Sequence, residues 1–385
     1  MPRLRRMESL SAYFSDGCRA QPLWFFMMVA VLPATTGKSF DGLLRRTTDG
    51  RYEAYMKPPY KSNHASFIER LSNEDMVIAW FSGSKEGESN VAIVFARLPN
   101  GTLQWMNPRT VSQRPGYSNQ NPVLFADNNT LFLFHTQQKA SFTSTCNSDV
   151  GSEDSAQVWA LVSTDGKGEK FTKPKLVLSK AGSFDRNRII RSLKNEWLFP
   201  TYFAGGSSKD QHSILMENAK HDPYSSWVGH AFPKSDYLVQ PSVVRPVPGK
   251  PNLVVFFRDR RAGNIYRATS PDDGKTWTTP TKTTLPNNNS GIEANVLKSG
   301  RIALVYNPTH HARDPLVISL SEDQGKSWKY TRTLETSSSG KNVVEYSYPS
   351  LLQDTMARIH VSYTYNRETV KHVIIPNEQW IMKTY

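Results

Sequence analysis

The chain has 385 residues, with 47 basic against 34 acidic side chains for a net charge of +13, and 38% hydrophobic and 11% aromatic content. Its 22 glycines and 24 prolines are too few for a collagenous or disordered chain. The length exceeds one ordinary compact domain, which leaves several domains or one large repeat fold, and the positive balance points to an anionic partner.

The first element in chain order is an unbroken apolar run of ten, Leu23 to Leu32, preceded by Arg3, Arg5, Arg6 and Arg19 and followed by Pro33, Ala34 and Gly37. Ten residues do not span a bilayer. A basic segment, a short apolar segment and small residues beyond it read as a secretory signal over residues 1–37, with an organellar leader or a signal anchor as alternatives. The remaining residues 38–385 keep a charge of +11 and are expected in the secreted or luminal space, without a transmembrane span. Cys18 falls in the leader and leaves Cys146 alone, so neither a disulfide framework nor a cysteine zinc site is available, and no metal or cofactor is expected. Sequons at Asn100, Asn128 and Asn288 are compatible with glycosylation.

From residue 60 onward one pattern recurs: a polar residue, a short apolar strand, a polar turn and a second apolar strand. The polar residues are His64, Asn121, Arg188, Gln240, Glu293 and Tyr348, spaced 52 to 67 residues apart. Their second strands are Met76–Phe81, Leu131–Phe134, Trp197–Phe199, Leu253–Phe257, Ile302–Tyr306 and Ile359–Tyr363. A second series interleaves with the first. Ser270-Pro-Asp-Asp-Gly-Lys-Thr-Trp277 and Ser321-Glu-Asp-Gln-Gly-Lys-Ser-Trp328 are strict copies of S-x-D-x-G-x-x-W, 51 residues apart, and looser copies lead to Trp105, Phe171 and Trp227. Asp and Gly suit the turn, and the aromatic suits the gap between neighbouring sheets. Dense strands without amphipathic helices, at a period near fifty, predict an all-β, six-bladed propeller of four-stranded antiparallel blades formed as one domain over residues 38–385. In such a ring the innermost strands line the axis, so the six polar residues are expected around a common mouth.

The two aspartate boxes on this repeat resemble the sialidase (neuraminidase) superfamily in its BNR/Asp-box branch, over roughly Tyr60 to Ile375. Further resembling segments are His64-Ala-Ser-Phe-Ile, Trp80-Phe-Ser-Gly-Ser-Lys-Glu-Gly87, Asn289-Ser-Gly-Ile-Glu293 and Glu345-Tyr-Ser-Tyr-Pro-Ser350. The resemblance implies an exo-glycosidase releasing terminal acidic sugars of the sialic acid type. It also implies a retaining mechanism: a tyrosine nucleophile activated by a glutamate, a carboxyl acid/base, and arginines that clamp the substrate carboxylate. Tyrosine suits an anomeric carbon that already bears a carboxylate, because a carboxylate nucleophile would meet like-charge repulsion. Carried over residue by residue, Tyr348 takes the nucleophile's place and Glu293 that of its base, with an expected separation of about 2.6 to 3.2 Å. Glu86, in the blade-one loop, takes the acid/base role. The first clamp arginine falls on His64, and Arg188, Arg258, Arg260 and Arg313 are the candidate replacements, with Gln240 and Asn121 completing the substrate-binding set.

That substitution keeps two other readings open. A histidine beside a tyrosine suits proton abstraction next to a uronate carboxylate, in a uronate- or rhamnose-directed glycosidase or lyase. A lost clamp suits a non-catalytic glycan-binding propeller. The Phe257-Arg-Asp-Arg-Arg261 cluster is too short for a nucleic-acid face, so the expected partner of a monomer is an acidic glycan and not nucleic acid.

Overall fold

The structure is a computed structural model that describes residues 38–140, 153–205, 211–337 and 344–383; the apolar leader and Cys146 lie outside the described residues. Six antiparallel sheets are laid down almost entirely in chain order and form a six-bladed propeller. Blade I runs outward through Ser62–Arg70, Met76–Gly83, Ala92–Leu98 and Arg109–Ser112. Blade II uses Tyr117–Asp127, Thr130–Lys139, Gln157–Ser163 and Lys175–Leu178. In blade III the innermost position is split into Ser183–Asp185 and Ile190–Arg191, both paired to Trp197–Phe203, before His212–Asn218 and Val228–Ala231. Blade IV is Leu238–Val244, Leu253–Asp259, Asn264–Ser270 and Thr281–Pro286, and blade V is Glu293–Val296, Ile302–Tyr306, Leu316–Ser321 and Tyr330–Glu335.

Blade VI closes the ring. Tyr346–Gln353, Ile359–Tyr365 and Thr369–Ile375 come from the C-terminal end, while Tyr52–Tyr55 supplies the fourth strand and Arg45–Arg46 a short fifth. Side chains also seal the seam between blades VI and I: Ser66 Oγ donates to Ser362 Oγ at 3.0 Å, and the Ala65 amide to Thr364 Oγ1 at 3.1 Å. Second strands such as Met76–Gly83, Leu253–Asp259 and Ile359–Tyr365 are buried along their whole length. A neighbouring blade covers each of their faces, so they read as continuous apolar runs and not as alternation.

The aspartate boxes are the predicted turns. Asp272 Oδ1 accepts from the Thr276 amide at 2.8 Å and from Ser270 Oγ at 2.8 Å, and Asp323 repeats both bonds with Ser327 and Ser321. Asp165 accepts from the Lys167, Gly168 and Lys170 amides, which makes the looser copy a working turn as well. Gly325 adopts φ +81°, and a Cβ there would lie 2.3 Å from the Phe256 ring, so only glycine fits. Trp277 packs on Phe232 at 4.7 Å and Trp328 on Phe256 at 5.6 Å.

Four inner strands share one irregularity that the sequence pattern did not place. The ladder slips between His64 and Phe67, Gln120 and Val123, Val239 and Ser242, and Ser347 and Ser350. At each slip one residue takes positive φ: Ala65 (53°), Asn121 (49°), Gln240 (51°) and Tyr348 (51°). Counting along the ladders, where Ser242 faces Phe256 and Glu293 faces Val305, puts Gly291 at this position in blade V. Ile190 facing Leu198 likewise puts Arg186 there in blade III. The expected ring of six polar residues is corrected accordingly. Arg188 and Glu293 sit two residues deeper in the channel than Asn121, Gln240 and Tyr348, and His64 sits one residue before the bulge.

Candidate active site

Tyr348 is the centre of the mouth. Its bulge is fixed from beneath by Arg186, a guanidinium only 1% exposed, whose Nη2 donates to the carbonyls of Tyr348 and Pro349, both at 2.9 Å. A bulge with a non-glycine residue at positive φ is a strained arrangement that aims one side chain away from the ladder, a frequent device beside functional sites. Room for the ring comes from blade V: a Cβ on Gly291 would lie 3.3 Å from Tyr348 Cγ and 3.2 Å from Gln240 Oε1.

The tyrosine oxygen accepts a hydrogen bond from Arg258 Nη1 at 2.5 Å. The same nitrogen donates to Gln240 Oε1 at 3.1 Å, and Arg258 Nε donates to Asn289 Oδ1 at 2.9 Å. Gln240 Nε2 reaches the Tyr202 hydroxyl at 3.3 Å. Arg258 is 8% exposed, and among the described residues no carboxylate pairs with it. The Arg186, Arg258 and Arg313 guanidiniums lie 5.4, 5.6 and 5.4 Å from the centre of the Tyr348 ring.

The other side of the mouth is an ion network built on Glu345. One of its oxygens accepts from Arg313 Nη1 and Ser347 Oγ, each at 2.6 Å, and the other from Arg367 Nε at 2.9 Å. Arg367, in the last hairpin of blade VI, donates its Nη1 to Glu86 of the blade-I loop at 2.6 Å. His64 stacks on Tyr348 with ring centres 4.3 Å apart and is 1% exposed. Arg367 Nη2 lies 3.4 Å from its Nε2, which fixes that nitrogen as the acceptor and leaves Nδ1–H to donate to Thr364 Oγ1 at 2.9 Å.

Charge follows this geometry. Burial works against ionisation of Tyr348, but Arg258 and Arg313 outweigh it and hold the phenol below its ordinary range. Burial, then Arg367 and Arg313, keeps His64 neutral well below the usual imidazole range. Burial also opposes the charge on Glu345, yet Arg313, Arg367 and Ser347 keep it ionised.

The expected Tyr348–Glu293 pair is not formed. Glu293 is fully buried; one oxygen accepts from the Leu351 amide at 2.7 Å and the other faces Arg188 Nε at 3.4 Å. Arg188 is engaged there too, with Glu69 at 2.5 Å and the Ile68 carbonyl at 2.8 Å, so this pair fills the channel below the mouth. Arg260 pairs with Glu153 at 3.2 Å and makes no contact with Tyr348, and Asn121 is buried at its own bulge. Of the expected set, Gln240, Arg258, Arg313 and His64 gather directly around Tyr348, and Glu86 joins them through Arg367. Arg186, Arg367, Glu345 and Asn289 were missed. Arg186 was recoverable by counting back from Trp197, whereas Arg367 lies in a hairpin with no motif of its own. The sequon at Asn288 is also buried, its side-chain amide bonded to the Ala312 carbonyl. At the other end of the axis a cavity of about 680 Å³ is lined by Arg70, Arg188, Arg245 and Lys298. Its guanidiniums already pair with Glu74, Glu69 and Asp273, which leaves them no free charge for a ligand.

A family model described as "BNR repeat-like domain" matches residues 74–361. No curated protein sequence matches the chain. Among solved structures, the fold is similar to a Hadza microbial sialidase at 16% identity and TM-score 0.66, over 82% of this chain and 66% of that protein's length. It is similar to the NanB sialidase of Streptococcus pneumoniae at 12% identity and TM-score 0.67, over 89% and 71% of the two chains. An intramolecular trans-sialidase from Ruminococcus gnavus matches at 14% identity and TM-score 0.66, over 86% and 98%. At these identities the likeness is one of fold. Among the described residues no helix is long and apolar enough to cross a membrane.

Proposed function

Because the chain belongs to the BNR repeat-like domain family and shares its propeller with solved sialidases, we propose that it is a retaining exo-glycosidase acting on terminal sugars that carry a carboxylate, with Tyr348 as nucleophile. The observation that supports this most is the buried Arg258 guanidinium, which bonds only neutral amides and the tyrosine oxygen. Four guanidiniums at the mouth, Arg186, Arg258, Arg313 and Arg367, outnumber its described carboxylates, Glu345 and Glu86, so an anionic ligand relieves charge there even beside an ionised tyrosine. Arg258 and Arg313 flank the position of the sugar carboxylate, and Arg367 reaches it once Glu86 is displaced.

In the first step the Tyr348 oxygen bonds to the anomeric carbon as the glycosidic C–O bond breaks, and the departing oxygen takes its proton from Glu86. A substrate carboxylate that competes for Arg367 frees Glu86 from its ion pair, so that its carboxyl can turn to the departing oxygen. Water, deprotonated by the same Glu86, then cleaves the tyrosyl bond and restores the anomeric configuration. His64 supports the site as a neutral stacking partner, since both of its nitrogens are occupied; a base role for it in a uronate lyase has no free nitrogen to use. The apolar run of residues 23–32 supports a secretory setting, where such glycans occur.

A panel of fluorogenic glycosides and uronate-containing polysaccharides tests the reading. Release of an acidic sugar, with neutral glycosides inert, is the expected result. Unsaturated products would overturn it in favour of a lyase, and tight binding of acidic glycans without turnover would make the protein a glycan-binding propeller.

A further inference from the structure

Among the described residues, no base is hydrogen-bonded to the Tyr348 oxygen. Arg258 Nη1 points its hydrogen at that oxygen, and a guanidinium has no acceptor to offer in return. Gln240 has its carbonyl oxygen occupied by Arg258 and its amide directed to Tyr202. The described carboxylates of the region are committed: Glu293 to Leu351 and Arg188, Glu345 to Arg313 and Arg367, and Glu86 to Arg367. An oxygen approached by a charged donor, with no proton acceptor beside it, is most stable as an anion.

We infer, building on the glycosidase reading above, that Tyr348 is activated by a cradle of Arg258, Gln240 and Asn289 that holds it as a phenolate before substrate arrives, and not by a carboxylate that removes its proton during the reaction. The bond that breaks is the phenolic O–H; the proton goes to solvent buffer, and the charge left on oxygen is the counter-ion that Arg258 otherwise lacks. Arg258 thereby has a double role, since it also faces the incoming carboxylate. Gln240 is a positioning residue. Its amide fixes the guanidinium without neutralising it, which a carboxylate at the same place would do. Asn289 does the same for Nε at 2.9 Å. The other described charged or titratable groups around the tyrosine are His64 and Glu86 from blade I, Arg186 and Tyr202 from blade III, Arg313 from blade V, and Glu345 and Arg367 from blade VI. Glu86 and Glu345 carry charges that oppose the phenolate, and Arg367 and Arg313, paired with them, offset those charges. Burial keeps the Tyr202 phenol firmly protonated, so the two tyrosines separate into one anion and one neutral donor.

Ultraviolet titration of tyrosinate without substrate, taken as the difference between wild-type protein and Tyr348→Phe, reads this directly. One of the 16 tyrosines should ionise ahead of the others. Gln240→Glu should move that titration upward, because the new carboxylate takes Arg258 as its partner, and kcat should fall by about tenfold for each pH unit by which the displaced titration exceeds the assay pH. Arg258→Met should also move it upward and Arg258→Lys should restore part of the shift, with a melting curve confirming that each variant is folded. The cradle is refuted if Tyr348 titrates with the bulk tyrosines, or if Gln240→Glu raises kcat and so behaves as a newly supplied base. A low-lying tyrosinate in a protein that turns over no acidic glycoside supports the cradle and sinks only the glycosidase reading.

Discussion

Arg188 and Glu293 meet inside the axial channel at 3.4 Å, with Arg188 also lying 4.8 Å over the Phe67 ring. Burial pushes the Glu293 carboxyl up, and Arg188 followed by Arg186 pulls it back. Arg188 keeps Glu69 when Glu293 is removed, but its Nε and the Leu351 amide lose their buried acceptor, so Glu293→Ala should cost roughly 1 to 3 kcal/mol of stability. Chemical denaturation reads it; an unchanged midpoint would mean that the pair does not hold the channel together. Tyr348 was legible in the sequence because Tyr348-Pro-Ser-Leu and Gln240-Pro-Ser-Val mark the same bulge in two blades. Glu293 was misplaced because blade V carries Gly291 at that position, without a following proline to mark it. Arg367 and Glu345 were illegible as site residues, since an ion network spanning three blades is set by tertiary geometry and leaves no local pattern.

At the scale of elements, the last two strands of blade VI carry a buried relay. Trp105 Nε1–H donates to His372 Nδ1 at 3.2 Å, His372 Nε2–H to His360 Nδ1 at 3.0 Å, and His360 Nε2–H to Asp354 at 3.2 Å. Every donor has its acceptor only while both imidazoles are neutral. Burial holds both below their ordinary value, with Arg358 and Arg70 also facing them, while Asp354 opposes the shift at His360. As pH falls below about 6.5 the unfolded chain gains protons that the folded chain refuses, so stability falls with pH by about 1.4 kcal/mol per unit for each histidine. Urea midpoints should therefore drop between about pH 7 and about pH 5, and drop less in His372→Gln. A flat profile in the wild-type protein would contradict the relay. The aspartate boxes that turn the blades were readable from seven or eight residues apiece, because the motif is a local hydrogen-bonding unit. The strand Tyr52–Tyr55 was not read, because four residues are too few for a pattern and their partner, Thr369–Ile375, lies at the other end of the chain.

For the whole molecule, the period of strands and boxes was enough to predict six blades, and ring closure then brings Tyr348, Arg258, Arg313, His64 and Arg367 together from four blades that are distant in sequence. What the repeat did not reveal was depth along the axis: a shift of two residues separates the mouth from the channel lining, and that shift moved two of the expected residues out of the site. Attack of the Tyr348 oxygen on an acidic sugar is tested most directly by rapid acid quenching of the working protein followed by peptide mass analysis. A peptide spanning Tyr348 should be heavier by one glycosyl unit of the acidic sugar, and no such adduct should form in Tyr348→Phe. Sustained release of the sugar by Tyr348→Phe, with no adduct on the wild-type peptide, would contradict it.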